Sequence, residues 1–431
     1  MSPARGWGLA LGLLLLAPAG SGAADTPVAA AAAPFAGAFD GAPVELWSVS
    51  LPGRQASGLH TELGGPAIHG RYIYVGAAAA DALFVLERHS GRLVRRIDTA
   101  APVQAQPIVA DGVLYVADSA GTVSAWAVDP AGEGGLGRAP IWSRGGSAPV
   151  LAPVTLHEDA VLVSNVDDVV YGLDRATGEL RWRHAHKPDV GRSTRLKLYG
   201  AGAPLVVSAE GGAFEAIVGF SDGTLASLDG RSGVVRWQRR VGEGQYPDII
   251  GGGALIGTDV VVAGYSEPLV AVHRASRNVR WRLDVGGAFA PVVAGGQGAA
   301  PDLAAAGPNH RFVFHGGSDG VVRCVDGRTG ALVWQWDSGT TSSMTRPVPT
   351  PAGLLVGAAA GGLALLDAAT GAPRWQWAPP FLPSGFAGAL AVDGRQAVMV
   401  TNAGNIISFV VPEPKPAWVA GDGLFDRTAT R

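Results

Sequence analysis

Few residues in this 431-residue chain have the type and spacing to do chemistry. His184 and His186 lie two apart, so on a strand they would share a face and could give two imidazoles to a metal site. A solvent-facing strand end before the loop at Lys187-Pro188 accounts for both without a metal. Asp167-Asp168 could suggest calcium, but Asp also belongs in a hairpin turn, where it hydrogen-bonds the backbone. Cys324 is the one cysteine, so no intramolecular disulfide can form. It alternates with Val322 along an apolar run, the pattern of a packed strand rather than a reactive thiol. Gly251-Gly252-Gly253 and Gly295-Gly296 are not phosphate loops, because no strand-to-helix context surrounds them. No cluster reads as catalytic, so neither an enzyme nor a cofactor or metal site is expected.

The elements that must position these residues are repeats. One phrase recurs: Asp, two residues, Thr or Ser, Gly, three residues, Trp. Four copies are complete: Asp174, Gly178 and Trp182; Asp229, Gly233 and Trp237; Asp326, Gly330 and Trp334; Asp367, Gly371 and Trp375. Three are degenerate. Glu87 to Arg95 has lost its Trp, His273 to Trp281 has lost its Gly, and Asp129 to Trp142 carries an insertion. Trp47 ends a lone terminal piece.

Each residue of the phrase has a physical task. The alternating apolar run before Asp is a strand. Asp and Thr bond the turn backbone, and Gly accepts the positive φ of a tight turn. Trp returns on the next strand, where its flat ring can fill the gap to a neighbouring unit. A second hairpin lies upstream in each unit, as at Asp111 to Val116, so each unit is a four-stranded antiparallel sheet, one propeller blade.

The Trp-type positions are 47, 95, 142, 182, 237, 281, 334 and 375, spaced 40 to 55 residues apart. The fold class expected is all-β, an eight-bladed β-propeller. The strand at Trp47 should pair with Ile406 to Val411 and close the ring, removing open edges. Seven blades is the alternative if one degenerate unit is not a blade.

Composition agrees with short buried strands and tight turns: 63 glycines, 47% hydrophobic and 16% charged residues. A net charge of −3 without a basic run argues against a nucleic-acid partner. Arg5, an apolar stretch from Leu9 to Ala17 and small residues at Ser21-Gly22-Ala23 read as an export signal over 1–23. That stretch is too short for a comfortable membrane span, and no other segment reads as transmembrane. Residues 24–43 read as an Ala-rich linker, 44–411 as the propeller, 295–309 as a loop within a blade, and 412–431 as a mobile tail. No cysteine follows the signal, so a lipid anchor is not expected unless the true start differs from Met1.

The phrase resembles the repeat of pyrroloquinoline-quinone-dependent dehydrogenases and their non-enzymatic relatives. Within that superfamily the chain is similar to the BamB family of the outer-membrane β-barrel assembly machinery. The resemblance covers roughly residues 44 to 411. Its most specific segment is Leu196-Lys197-Leu198-Tyr199-Gly200-Ala201-Gly202-Ala203-Pro204, where the family has Leu-x-Leu-Arg-Gly, two residues, then Ala-Pro. The resemblance implies that Leu196 and Leu198 contact the large barrel-inserting subunit. Tyr199 stands where the family has Arg. The family's Asp-x-Asp pair in the next inter-blade loop is matched only by Asp248. A core reading of Leu196 and Leu198 also remains open, since on a strand they would share one face.

The expected partners are the barrel-inserting subunit and unfolded barrel clients, the expected state a monomer within a complex, and the expected place the periplasm. A quinone dehydrogenase of this repeat type would need calcium ligands, a catalytic Asp and often a vicinal cysteine pair. One cysteine rules out the pair. A generic propeller binding module is the third reading.

Overall fold

The computed structural model describes residues 43–51, 64–129, 131–187, 202–208, 212–242, 246–250, 252–265, 268–287, 291–294, 311–359, 362–377, 385 and 388–412. The segments expected as export signal, linker, tail and intra-blade loop lie outside these residues, apart from Pro43 and Pro412.

In blade 3, Ala160–Ser164 and Val169–Asp174 are apolar almost throughout and buried on both faces. Strands packed between two neighbouring sheets lose the polar face that a one-sided sheet keeps. The outermost strand, Leu180–Ala185, buries Trp182 and leaves most of its other side chains exposed.

Eight four-stranded antiparallel sheets are present among the described residues. They span 67–98, 108–144, 155–185, 205–240, 253–283, 292–337 and 348–377 as blades 1 to 7. Blade 8 combines 391–410 with Val44–Ser50. There Val44 pairs with Val410 and Trp47 with Ser408, so the ring closes by strands from opposite ends of the chain. The expected eightfold architecture and its closure are both present, and seven blades is excluded.

The hydrophobic core is divided into wedges between blades. Ala160, Leu162, Val170 and Trp182 of blade 3 pack on Phe214, Ala216, Val218 and Phe220 of blade 4. A comparable cluster fills each of the other seams.

The repeat phrase staples those wedges. One oxygen of Asp174 accepts from the backbone N–H groups of Ala176 and Thr177, both at 2.9 Å. Asp229, Asp326 and Asp367 bond their turns in the same way. Gly178 has φ +72°, and a Cβ there would lie 2.5 Å from the ring of Trp142 in the preceding blade. The indole N–H groups of Trp47, Trp142, Trp182, Trp281 and Trp334 donate to carbonyls of Arg88, Arg175, Gly230, Gly327 and Ala368. Each acceptor directly follows the Asp-type residue of the next blade's turn.

Where the phrase is degenerate, the staple changes. Arg95, in place of Trp, donates to the carbonyls of Gly137 and Arg138 in the insertion of blade 2, and lies over the Trp126 ring. Trp375 is buried with no acceptor for its indole N–H. Blade 8 has no turn at that place, because its two outer strands come from the two ends of the chain.

Candidate protein-docking face

Antiparallel strands laid from the centre outward send successive turns to opposite faces of the disc. The repeat turns therefore share one face. The other face carries the central hairpin turns of each blade and the connections between blades. The longest such connection runs from Ala185, the end of blade 3, to Leu205, the start of blade 4. A connection of this length between short strands is a place where function concentrates.

Its feet are held by polar contacts. His186 donates its backbone N–H to the Asp168 carbonyl. Its ring stacks on Phe220, with centroids 4.2 Å apart and planes 8° from parallel. Its Nε2 lies 3.0 Å from Oδ2 of Asp222 in blade 4. Burial pushes the Asp222 carboxyl up, but its bonds to His186 and Thr224 outweigh that and hold it at about 2. Asp168, at φ +58° in the preceding turn, accepts from the Ser221 N–H at 2.9 Å and from its hydroxyl. At the far foot, the Ser164 hydroxyl donates to the Gly202 carbonyl at 2.7 Å and the Gly202 N–H to Gly219. The Thr155 hydroxyl donates to the carbonyl of Pro204.

This foot meets the following connection. A Cβ on Gly202 would lie 2.9 Å from the nitrogen of Gly252 and 3.0 Å from the Ile250 oxygen. Gly219, beneath both, admits Ile249 so closely that a Cβ would lie 2.2 Å from its Cγ2. The two inter-blade loops singled out in the sequence are therefore adjacent at their feet. Leu196, Leu198 and Tyr199 themselves lie outside the described residues. Asp248 is fully buried in the second connection, and its carbonyl accepts from the Tyr265 N–H.

The expectation of a solvent-facing pair at His184 and His186 is corrected at His186, whose side chain is only 7% exposed. The chain leaving blade 3 runs under the central turn of blade 4, and Phe220 and Asp222 seal it. His184 is half-buried; burial and then the charge of His186 lower its pKa. Asp167-Asp168 is a hairpin turn, as read. Cys324 is wholly buried, and burial with the nearby Asp326 charge pushes its thiol up to about 12. Among the described residues no group of three His, Cys, Asp or Glu could hold a metal.

Sequence reading missed two features. The Arg before Trp belongs to the repeat: Arg181, Arg236 and Arg374 bond the second oxygen of Asp174, Asp229 and Asp367 at 2.6, 2.6 and 2.7 Å. The recurring Arg-Trp dipeptide was the available signal. The pairing of His186 with Asp222 had none, because it crosses between blades.

Eight four-stranded blades stapled by this turn and Trp define a propeller of the pyrroloquinoline-quinone-repeat class. More narrowly, the chain belongs to the family of outer membrane protein assembly factor BamB, whose sequence profile matches residues 37–134, 138–300 and 318–424. No curated protein sequence matches the chain. BamB from Moraxella catarrhalis has the same fold, with a TM-score of 0.64 at 18% identity, covering 86% of this chain and 100% of that one. Sqt1 from Saccharomyces cerevisiae gives 0.65 at 10% identity, over 86% of this chain and 100% of its own. Quinohemoprotein alcohol dehydrogenase from Comamonas testosteroni gives 0.58 at 13%, over 87% and 77%. At these identities the likeness is one of fold.

Proposed function

We propose that this chain is a non-enzymatic periplasmic scaffold that helps assemble β-barrel proteins into the outer membrane. The family match over most of the chain carries the reading. The long connection after blade 3 supports it, because its first foot is fixed on the central turn of blade 4 and its far foot against the next connection, while the stretch between holds Leu196, Leu198 and Tyr199. In this reading Leu196 and Leu198 are apolar anchors for the large barrel-inserting subunit. Asp248 acts through the connection it occupies. Outer strands such as Leu180–Ala185 offer unpaired edges on which an unfolded barrel client could add a strand. A rigid disc suits this work because its loops are presented without being ordered anew at each encounter.

The test is capture from a Gram-negative envelope with the tagged full chain. The wild type is expected to retain the barrel-inserting subunit, and L196A/L198A to lose it. Failure of the wild type to retain it, or dye reduction with alcohols after adding quinone and calcium, would overturn the scaffold reading.

A further inference from the structure

We propose that the groove between the outer strands of blades 2 and 3 is a docking site for an extended acidic segment of a protein partner, gripped by Arg144 and Arg183. The site stands whether or not that partner is the barrel-inserting subunit. Strand alternation places the two arginines. The indole of Trp142 reaches into blade 3, where its N–H donates to the Arg175 carbonyl. Arg144 lies two residues on in the strand Trp142–Arg144, so it leaves on the same side. Trp182 turns the other way, toward Gly230 of blade 4. Arg183, its neighbour in Leu180–Ala185, therefore turns back toward blade 2. Tyr171 ties the two together. It pairs with Arg183 within blade 3, it packs in the seam between blades 2 and 3, and its hydroxyl feels the charge of Arg144 from blade 2. Each wall of the groove thus sends one guanidinium toward the same tyrosine.

Like charges facing each other across a groove repel unless an opposite charge comes between them. At this level of the rim, Arg or Lys stands on both walls of only one other seam, where Arg239 of blade 4 meets Arg282 of blade 5. There Arg282 is already engaged, by Asp284 at 3.0 Å and the Val241 carbonyl at 3.4 Å. The guanidinium groups of Arg144 and Arg183 have no acid partner among the described residues. Arg181, on the same strand as Arg183, is neutralised by Asp159 and Asp174, but those carboxylates lie at the repeat-turn end. Asp118, the acid that also acts on Tyr171, is buried and spends one oxygen on the N–H groups of Ala120 and Thr122.

The occupant follows from charge and shape. Each guanidinium is a planar fork that matches a carboxylate. Among the described residues no strand pairs with the outer edge of Leu180–Ala185. An extended segment laid along that edge would turn every second side chain into the groove, where Asp or Glu would neutralise both arginines. A flat bilayer meets the rims of the blades and not the groove between them, so an acidic protein segment fits better than anionic headgroups.

Fluorescence anisotropy of a labelled peptide of alternating glutamate and threonine, added to the purified full chain, tests the site. The wild type is expected to bind it, with affinity falling roughly tenfold as sodium chloride rises from about 50 to about 300 mM. R144Q/R183Q should weaken binding at least about tenfold at the lower salt. R92Q/R328Q removes the same charge from exposed repeat turns of blades 1 and 6 and should change binding less than about twofold. R144K/R183K, which keeps the charge without the fork, should bind between wild type and R144Q/R183Q. Without peptide, R144Q/R183Q should melt no lower than wild type, since the two arginines only repel each other. Failure of the wild type to bind, equal losses in both glutamine pairs, or an unaffected R144Q/R183Q would overturn the site. A lower melting point for R144Q/R183Q would make the arginines structural and overturn it too. Capture of phosphatidylglycerol vesicles by a wild type that ignores the peptide would overturn the protein occupant.

Discussion

Replacing His315 by valine should stabilise the protein, and more so in acid. At the equivalent place in the second strand of their blades stand Val75, Val116, Val163, Val218, Val262, Val356 and Met399, all buried. Only blade 6 puts a titratable group there. His315 is fully buried. Its Nε2 lies 3.2 Å from the Gly286 carbonyl, which requires the hydrogen on Nε2 and leaves Nδ1 bare and without a donor. Burial pulls its pKa down from 6.5 to about 4. The Gly286 carbonyl and Asp319 oppose that, and Arg323 adds to it. The sign follows from linkage. Below pH 6.5 the unfolded chain takes up a proton that the folded chain refuses, so folding loses stability until about pH 4. At about 1.4 kcal/mol per tenfold change in proton affinity, the loss is about 2 kcal/mol by pH 5 and about 3 kcal/mol by pH 4. Valine lacks this linkage and removes the orphaned nitrogen, at the cost of leaving the Gly286 carbonyl unpaired. Urea unfolding followed by tryptophan fluorescence at pH 7.5, 6 and 5 measures the difference. The gap between H315V and wild type should widen as the pH falls. Parallel curves across that range would refute a buried neutral imidazole.

Three further outcomes follow from the packing. Both W334F and W375F leave a cavity in a seam, but W334F should cost about 1 kcal/mol more than W375F in urea unfolding, because the Ala368 carbonyl loses its donor whereas the Trp375 N–H has no acceptor to lose. Equal costs would remove the explanation through chain closure. G219A should destabilise by at least about 2 kcal/mol, since its Cβ would fall on Ile249, and circular dichroism melting would show it. Asp174, held at about 2 by Arg181, its turn and Thr177, should keep its staple charged through mild acid and lose that contribution only as the pH falls from 4 toward 2. Carboxyl chemical shifts against pH would check it, and R181Q should move the Asp174 titration upward.

Much of the fold was legible because it is periodic. A repeat imposes the same local chemistry many times, so Asp, Gly and Trp at set spacing announced a blade even where one member was lost. Closure was legible for a related reason: Trp47 lacked the strands before it, and Ile406 to Val411 lacked the strand after it. Alternation likewise marked Cys324 as packed.

What only the tertiary structure decided lies where blades meet. His186 reads locally as a polar strand end. It is buried because Phe220 and Asp222, from a hairpin more than thirty residues on, are folded over it. The acceptors of the Trp staples, the bare N–H of Trp375 and the close approach of Ile249 to Gly219 are likewise contacts between units. Local propensity and periodicity act within a few residues of the chain. The seams are set by the angle and distance at which one wedge docks on the next, and no residue carries that information alone.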